Sequence, residues 1–468
     1  MIRSMYSYFF RFASSIALAS GVACYFAFGQ QIEVSPKAPG YQGIWFELGQ
    51  EGEYGDKYSG GLGTYTAKHR PIAIYDSNAN KTFFVYGAAK DGERHLLNAI
   101  GYYDHETGLV PRPTIVHDKQ GVDDPHDNAS LSIDGEGYLW VFISGRGRSR
   151  PGFKYRSVNP NDIDSFELIA EEEFTYPQPV WLEGQGFLHC FTKYTKGREL
   201  YWNASTDGRS WSADQKLAGM GGHYQATEAR DGVVYTAFNY HPGGNVDKRT
   251  NLYFVKTDDA GKTWRTADGT PVATPMTDTT CAALVRDYEA EGLRVYLKDM
   301  QFDANGNPVM LIITSHDHMP GPQGNPRTWT IVRWSGKEWR FHDVTTSTHN
   351  YDMGQLYIDG GNPWRILGPT EPGPFRWGSG GEVALWESDD VGETWKQTRV
   401  LTSDSPLNHG YVRRPLNAHP DFYALWADGN SATLSPSHLY FTDATAENVY
   451  RLPYVMNEDS ARPERIGN

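Results

Sequence analysis

Thr257-Asp-Asp-Ala-Gly-Lys-Thr-Trp264 and Ser388-Asp-Asp-Val-Gly-Glu-Thr-Trp395 obey one pattern: a hydroxyl residue, Asp two positions on, Gly two further, then Thr-Trp. Ser205-Thr-Asp-Gly-Arg-Ser-Trp211 is a degenerate copy. The pattern describes a hairpin turn. The Asp side chain accepts backbone amides, the Gly takes a positive φ, and the indole packs beneath.

Outward from these turns a second repeat runs along the chain, a Gly- or Asn-containing turn followed by a short alternating apolar strand. Its copies are Pro71–Tyr86, Gly137–Phe142, Gly186–Phe191, Gly232–Phe238, Asn307–Ile313, Asn362–Leu367 and Asp421–Trp426. Their spacing is within reach of the ~40–50 residues of a four-stranded blade with long loops. Helical periodicity is nearly absent. The pattern predicts an all-β chain, a seven-bladed β-propeller of four-stranded antiparallel blades, with no linker dividing it. Only the polar tail after Tyr454 reads as loosely held.

The 468 residues carry 43 Lys+Arg against 57 Asp+Glu, a net charge of −14. That balance argues against a general nucleic-acid binder, which needs a basic footprint. An acidic substrate would require cations concentrated in the cleft. Arg3 and Arg11 accompany an apolar run, Phe12–Phe28, that ends in the small-x-small pattern Ala27-Phe28-Gly29. Residues 1–29 therefore read as a secretory signal peptide, and 30–468 as a single secreted or periplasmic propeller domain with no membrane span. Cys24 lacks a lipoprotein context, since Gly21 stands where a bulky aliphatic is expected. Cys190 and Cys281 lie in apolar, strand-like surroundings and read as buried free thiols. No metal site is expected at the active centre and no cofactor, a structural divalent cation being left open.

A propeller gathers its ligand site over the central channel, on loops at the ends of inner strands. His126, in Asp123-Asp-Pro-His-Asp-Asn128, precedes one such strand and titrates in the range a general acid or base needs. Arg146, in Ser144-Gly-Arg-Gly-Arg-Ser-Arg150, can pair bidentately with a carboxylate or sulfate, whereas Arg148 and Arg150 read as solvated charge. Tyr176, held extended before Pro177, offers a phenol. Lys193-Tyr-Thr-Lys-Gly-Arg198 places three cations at a strand end. Further clusters hold His223 and Tyr224, Tyr240 and His241, Arg249, His349 and Tyr351, and Arg376 and Trp377. The plain alternative for each is a turn histidine, a packed tyrosine or a solvated cation.

The turns resemble the Asp-box, or bacterial neuraminidase repeat, of sialidase-like propellers. His126-Asp-Asn-Ala-Ser-Leu-Ser-Ile-Asp-Gly-Glu-Gly-Tyr-Leu-Trp140, Phe174-Thr-Tyr-Pro-Gln178, Arg249–Phe254, His349–Asp352, Gly380–Trp386 and Asn417–Gly429 resemble the BNR-4 type of propeller, which includes ulvan lyases and related enzymes acting on rhamnose–glucuronate linkages. The resemblance implies lyase cleavage of an acidic polysaccharide or oligosaccharide by β-elimination at a 4-linked uronate. His126 and Tyr176 match the family's proton-transfer pair. Arg146 stands where a second histidine is frequent, and Lys193, with Arg198 a little later, where the carboxylate-neutralising arginine is expected. His223 and Tyr224 form a reserve pair, and Trp377, Tyr240 and Tyr351 would stack on sugars. A sugar ring is expected to fit between His126 and Tyr176. The competing readings are a propeller glycoside hydrolase acting on rhamnosyl-glucuronate ends, for which no carboxyl pair stands out, and a non-catalytic glycan-binding propeller.

Overall fold

The computed structural model describes residues 34–90 and 93–466. The expected signal peptide, residues 1–29, lies outside them. Residues from Val34 onward form one compact unit.

Seven antiparallel sheets of four or more strands follow one another along the described chain. The first holds Ala73–Asp76, Lys81–Ala89, Leu96–Asp104 and Thr114–Asp118, and the second Ala129–Ile133, Leu139–Ile143, Gly152–Ser157 and Phe166–Glu172. The third is Thr175–Leu182, Gly186–Tyr194, Arg198–Ser205 and Gln215–Ala218. The fourth begins Gln225–Arg230, Val233–Tyr240, Thr250–Thr257; the fifth runs from Arg294–Phe302 to Trp339–Ser347, and the sixth from Gln355–Tyr357 to Lys396–Val400. The last contains Asn408–Arg413, Ala424–Gly429, Leu439–Thr442, Val449–Arg451 and Glu464–Ile466. Each apolar run of the sequence repeat supplies the second strand of one sheet, which is flanked on both edges and packed on both faces. The fold is all-β and propeller-like.

First strands of successive sheets touch, as Ala129–Ile133 does Thr175–Leu182 and Gln225–Arg230 does Arg294–Phe302. The first and last sheets meet directly. The Tyr75 amide donates to the Leu416 carbonyl at 2.9 Å and the Leu416 amide to Ala73 at 2.8 Å. Phe84, Leu131, Phe422 and Phe441 share one apolar cluster that joins first, second and last sheets. Burying each such side chain contributes roughly 1.5–3 kcal/mol.

The three Asp turns close as their chemistry requires. Asp259 accepts the Thr263 amide at 2.9 Å, Asp390 the Thr394 amide at 2.8 Å and Asp207 the Ser210 amide at 2.8 Å. Gly208 (φ +70) lies so close to Trp140 of the preceding sheet that a β-carbon would stand 2.2 Å from the indole. The turn glycine thus does two things: it takes the left-handed conformation and lets neighbouring sheets approach.

Two expectations are corrected. The tail after Tyr454 is stitched in: Ser460–Ala461 pairs with Val110–Pro111, Glu464–Ile466 pairs with Val449–Arg451, and Arg112 donates to the Asn457 and Glu458 carbonyls. Main-chain pairing and the side chains of Arg112 and Arg451 hold the tail, which its polar composition did not announce. Cys190 is buried in a strand, but Cys281 is half-buried in a bend.

Candidate active site

A cleft opens where the first strands converge. Sheets two to seven each send a side chain into it from a first strand or its approach, or from a neighbouring strand end: His126, Tyr176, Tyr224 with Arg249, Tyr296 with Lys298, Tyr351, and Tyr411. The loop ahead of the first sheet adds Tyr65 and Lys68. Tyr176 and Tyr411 both have φ of 55°, and both strands shift register beside them. Such bulges re-aim a side chain out of the ordinary alternation, and here they turn two phenols into the cleft.

His126 sits in a short turn, Pro125–Asp127, capped by Asp124, whose carboxylate accepts the His126 amide at 3.0 Å. The same carboxylate lies 2.5 Å from His126 Nδ1. With Nδ1–H donating to Asp124, the Nε2 lone pair is left facing the cleft, its nearest polar neighbour the Tyr65 hydroxyl at 3.4 Å. Burial, with help from Arg146 and Arg198, pulls the imidazole down to about 4 against the pull of Asp124, so it is neutral at neutral pH. Asp124 stays ionised: although burial acts to raise it, His126 and the arginines hold it well below the carboxylate range. Arg150 donates to Asp124 at 2.7 Å and pairs with Asp127 at 2.9 Å. It is therefore a fixed structural cation, a correction to its reading as solvated charge, while Arg148 is indeed solvent-exposed.

The Arg198 guanidinium lies 5.3 Å from the Tyr176 ring and 4.8 Å from the Tyr224 ring, its Nε and Nη2 donating to the Tyr194 hydroxyl. Arg146 approaches the other side of Tyr194, 6.0 Å from its ring. Among the described residues Arg198 Nη1 has no hydrogen-bond partner, whereas Arg146 Nη1 stands 3.6 Å from the Asp124 carboxylate. The Tyr176 and Tyr224 rings meet edge-on at 5.3 Å. Burial pushes Tyr176 up. It acts on Tyr224 too, but Arg198 and Arg249 outweigh it and bring that phenol down to about 8. Two adjacent phenols with opposite shifts therefore stand beside a neutral imidazole.

Arg249 donates to the Tyr351 hydroxyl at 2.6 Å and lies 4.6 Å from the Tyr296 ring. Lys68 and Lys298 are anchored on the Leu297 and Asn350 carbonyls, both at 2.8 Å. Beneath them Arg413 donates to the Thr64 and Thr66 carbonyls at 2.9 and 2.6 Å, holding the loop that presents Tyr65 and Lys68. No Asp or Glu is among the lining residues. An acidic protein thus carries a cationic, aromatic cleft.

His126, Tyr176, Tyr224, Arg249 and Tyr351 therefore line one cleft, with Arg198 against its two tyrosines and Arg146 beside Asp124. Lys193 does not join them. Adjacent strand residues point to opposite faces: Tyr194 faces the arginines, and Lys193 pairs with Asp214 at 2.7 Å on the far side. His223 is buried with both ring nitrogens on backbone, Nδ1 2.8 Å from the Asn239 carbonyl and Nε2 accepting the Met220 amide. His241 is buried behind Tyr224, 4.9 Å ring to ring. Tyr240 packs against the apolar core of the third and fourth sheets. His349 accepts the Tyr351 amide at 3.1 Å and shapes that turn. Arg376 stacks on Trp377, which meets Tyr54 outside the cleft lining. The His126 and Tyr176 rings are 5.9 Å apart, edge to face. No sugar fits between them, and both address a ligand from the same side.

Tyr65, Lys68, Lys298 and Asp124 were not singled out from sequence. Only Lys298-Asp299 left a signal, a charge pair interrupting an apolar strand.

A family model described as BNR repeat-containing family member matches residues 99–347. The ulvan lyase of Nonlabens ulvanivorans is 22% identical over 362 residues, covering 66% of this chain and 72% of that protein. An ulvan lyase of Alteromonas sp. (strain LOR) is 21% identical over 388 residues, 74% of each chain. Among solved structures, a PL25 ulvan lyase bound to -[GlcA(1-4)Rha3S]- superposes with a TM-score of 0.68 at 17% identity, over 87% of this chain and 96% of that one. At that identity the likeness carries the fold.

Proposed function

The chain belongs to the BNR repeat-containing family, and from that premise we propose that it is a polysaccharide lyase, cleaving an ulvan-like rhamnose–glucuronate polysaccharide by β-elimination. The carrying observation is a cleft lined by a neutral His126, a protonated Tyr176 and Arg249, with the Arg198 guanidinium packed against Tyr176 and Tyr224. The naming of the curated relatives as ulvan lyases supports the substrate class.

Elimination requires the uronate carboxylate to be neutralised, so that the C5 proton becomes acidic. Arg198 supplies the charge-assisted donor for that carboxylate, in place of Lys193. His126 Nε2 takes the C5 proton, and the imidazolium is stabilised by Asp124. Tyr176 gives its proton to the departing O4, and the phenoxide is stabilised by Arg198. In a 4-linked glucuronate the C5 proton and O4 lie on the same face of the ring, and His126 and Tyr176 are contiguous on one wall. The arrangement suits syn elimination. The absence of carboxylates from the lining weighs against the two-carboxylate hydrolase design. Export through the N-terminal 29 residues, to the periplasm or medium, belongs to the same proposal, since a polymeric substrate lies outside the cell. No helix among the described residues is long and apolar enough to cross a membrane.

Carboxyl reduction of the polymer tests the reading. Ulvan should be depolymerised, and ulvan whose glucuronates have been reduced to glucose should not; equal cleavage of both would defeat it.

The pH dependence follows from the same groups. His126 keeps its lone pair down to about pH 4, so kcat/KM should fall only below that value. Tyr224 loses its proton near pH 8, and its phenoxide would then occupy the charge of Arg198 and repel the uronate. Activity should therefore decline above about pH 8. In Tyr224→Phe the alkaline limb should move up by at least about one pH unit; an unmoved limb would mean that another group controls it.

A further inference from the structure

Far from the cleft chemistry, at the seam where the last sheet meets the first, His105, His419 and Asp421 bring one ligand atom each to within 4.8 Å of one another. His105 follows the third strand of the first sheet, Leu96–Asp104, and His419 and Asp421 precede Ala424–Gly429 of the last. We propose that these three side chains form a zinc site that clips the last sheet to the first.

The His105 side chain is 1% exposed, and its Nδ1 has no hydrogen-bond partner among the described residues. Nδ1 points at the Asp421 carboxylate, 3.9 Å away, and the other ring nitrogen lies 2.8 Å from the Thr82 hydroxyl. With Nε2–H donating to Thr82, the Nδ1 lone pair is aimed at the cluster, which is how a metal-binding imidazole is normally oriented. A buried nitrogen left unsatisfied needs a reason, and a cation shared with Asp421 provides one. His419 Nδ1 stands 3.8 Å from the same carboxylate oxygen. It now accepts the Asp421 amide at 3.1 Å, a contact that ligation would displace. Tyr75 packs on both imidazoles, at 5.2 and 4.8 Å, and holds them.

Ligand atoms around tetrahedral zinc stand about 3.3–3.5 Å apart, given metal–ligand bonds of about 2.0–2.2 Å. The two histidine–carboxylate separations, 3.9 and 3.8 Å, need to shrink by about half an ångström to meet that geometry, and the histidine–histidine one, within 4.8 Å, by at most about one and a half. Two imidazoles and one carboxylate suit zinc and neighbouring late first-row ions, whereas calcium and magnesium take oxygen sets. Three protein ligands leave the fourth place to water. The sequence hid the site because its ligands lie more than three hundred residues apart, in opposite ends of the ring.

The test uses the mature chain after exhaustive chelation. Titration with zinc chloride should show one saturable ion per chain, and the thermal midpoint should rise by several degrees once free zinc is about a hundredfold above its dissociation constant. Magnesium and calcium chloride should not reproduce the shift. Asp421→Asn, at an exposed carboxylate, and His105→Gln should each weaken zinc binding at least tenfold and abolish the shift while leaving turnover on ulvan unchanged. Failure of the parent chain to bind zinc saturably would overturn the proposal. So would retention of binding and of the shift in Asp421→Asn, whatever becomes of the His105 variant.

Discussion

His126→Ala should lower kcat on ulvan by about 10²–10⁴-fold, the usual worth of a positioned proton-transfer group. The imidazole presents a free Nε2 to the cleft because Asp124 engages Nδ1 at 2.5 Å. Removing it deletes the base without unfixing its partner, since Arg150 and Arg146 still hold the Asp124 carboxylate. The folded state should lose no more than about 1–2 kcal/mol, the ordinary range for one substitution. Circular dichroism and thermal melting separate the two effects. A variant that melts far lower yet turns over at near-normal rate would identify His126 as a packing residue.

Tyr176→Phe should also cost about 10²–10⁴-fold in kcat, with KM little changed, because the hydroxyl serves the leaving oxygen while the ring keeps its place against Arg198 and Tyr224. The readout that separates this role from simple packing is the leaving group. An oligosaccharide with a good leaving group at O4, one that departs without protonation, should recover most of the lost rate in Tyr176→Phe and almost none in His126→Ala. Equal recovery in both, or none in either, would dissolve the division of labour between them.

The framework was legible where chemistry repeats. Gly186–Phe191 and Asn307–Ile313 announce themselves because a second strand is packed on both faces and is therefore mostly apolar. The Asp turns were legible because three side chains cooperate at fixed spacing. The site was legible only in part. His126 and Tyr176 stand in readable motifs, but whether Lys193 or Arg198 faces the cleft depends on strand parity, and one residue of register reverses it. The register shift after Thr175 is not written in composition. Lys68 and Lys298 reach the cleft through carbonyls of distant segments, and no local pattern marks such residues. The same holds for the polar tail, which is held by strand pairing and by Arg112.

The most direct measurement counts bonds. Ulvan digested by the mature chain should yield one 4,5-unsaturated uronate, read by its ultraviolet absorbance, for each new reducing end. β-Elimination predicts that ratio from the first turnovers onward and its retention across the pH range of activity. New reducing ends without unsaturated product would make the cleft hydrolytic and contradict the account at its centre.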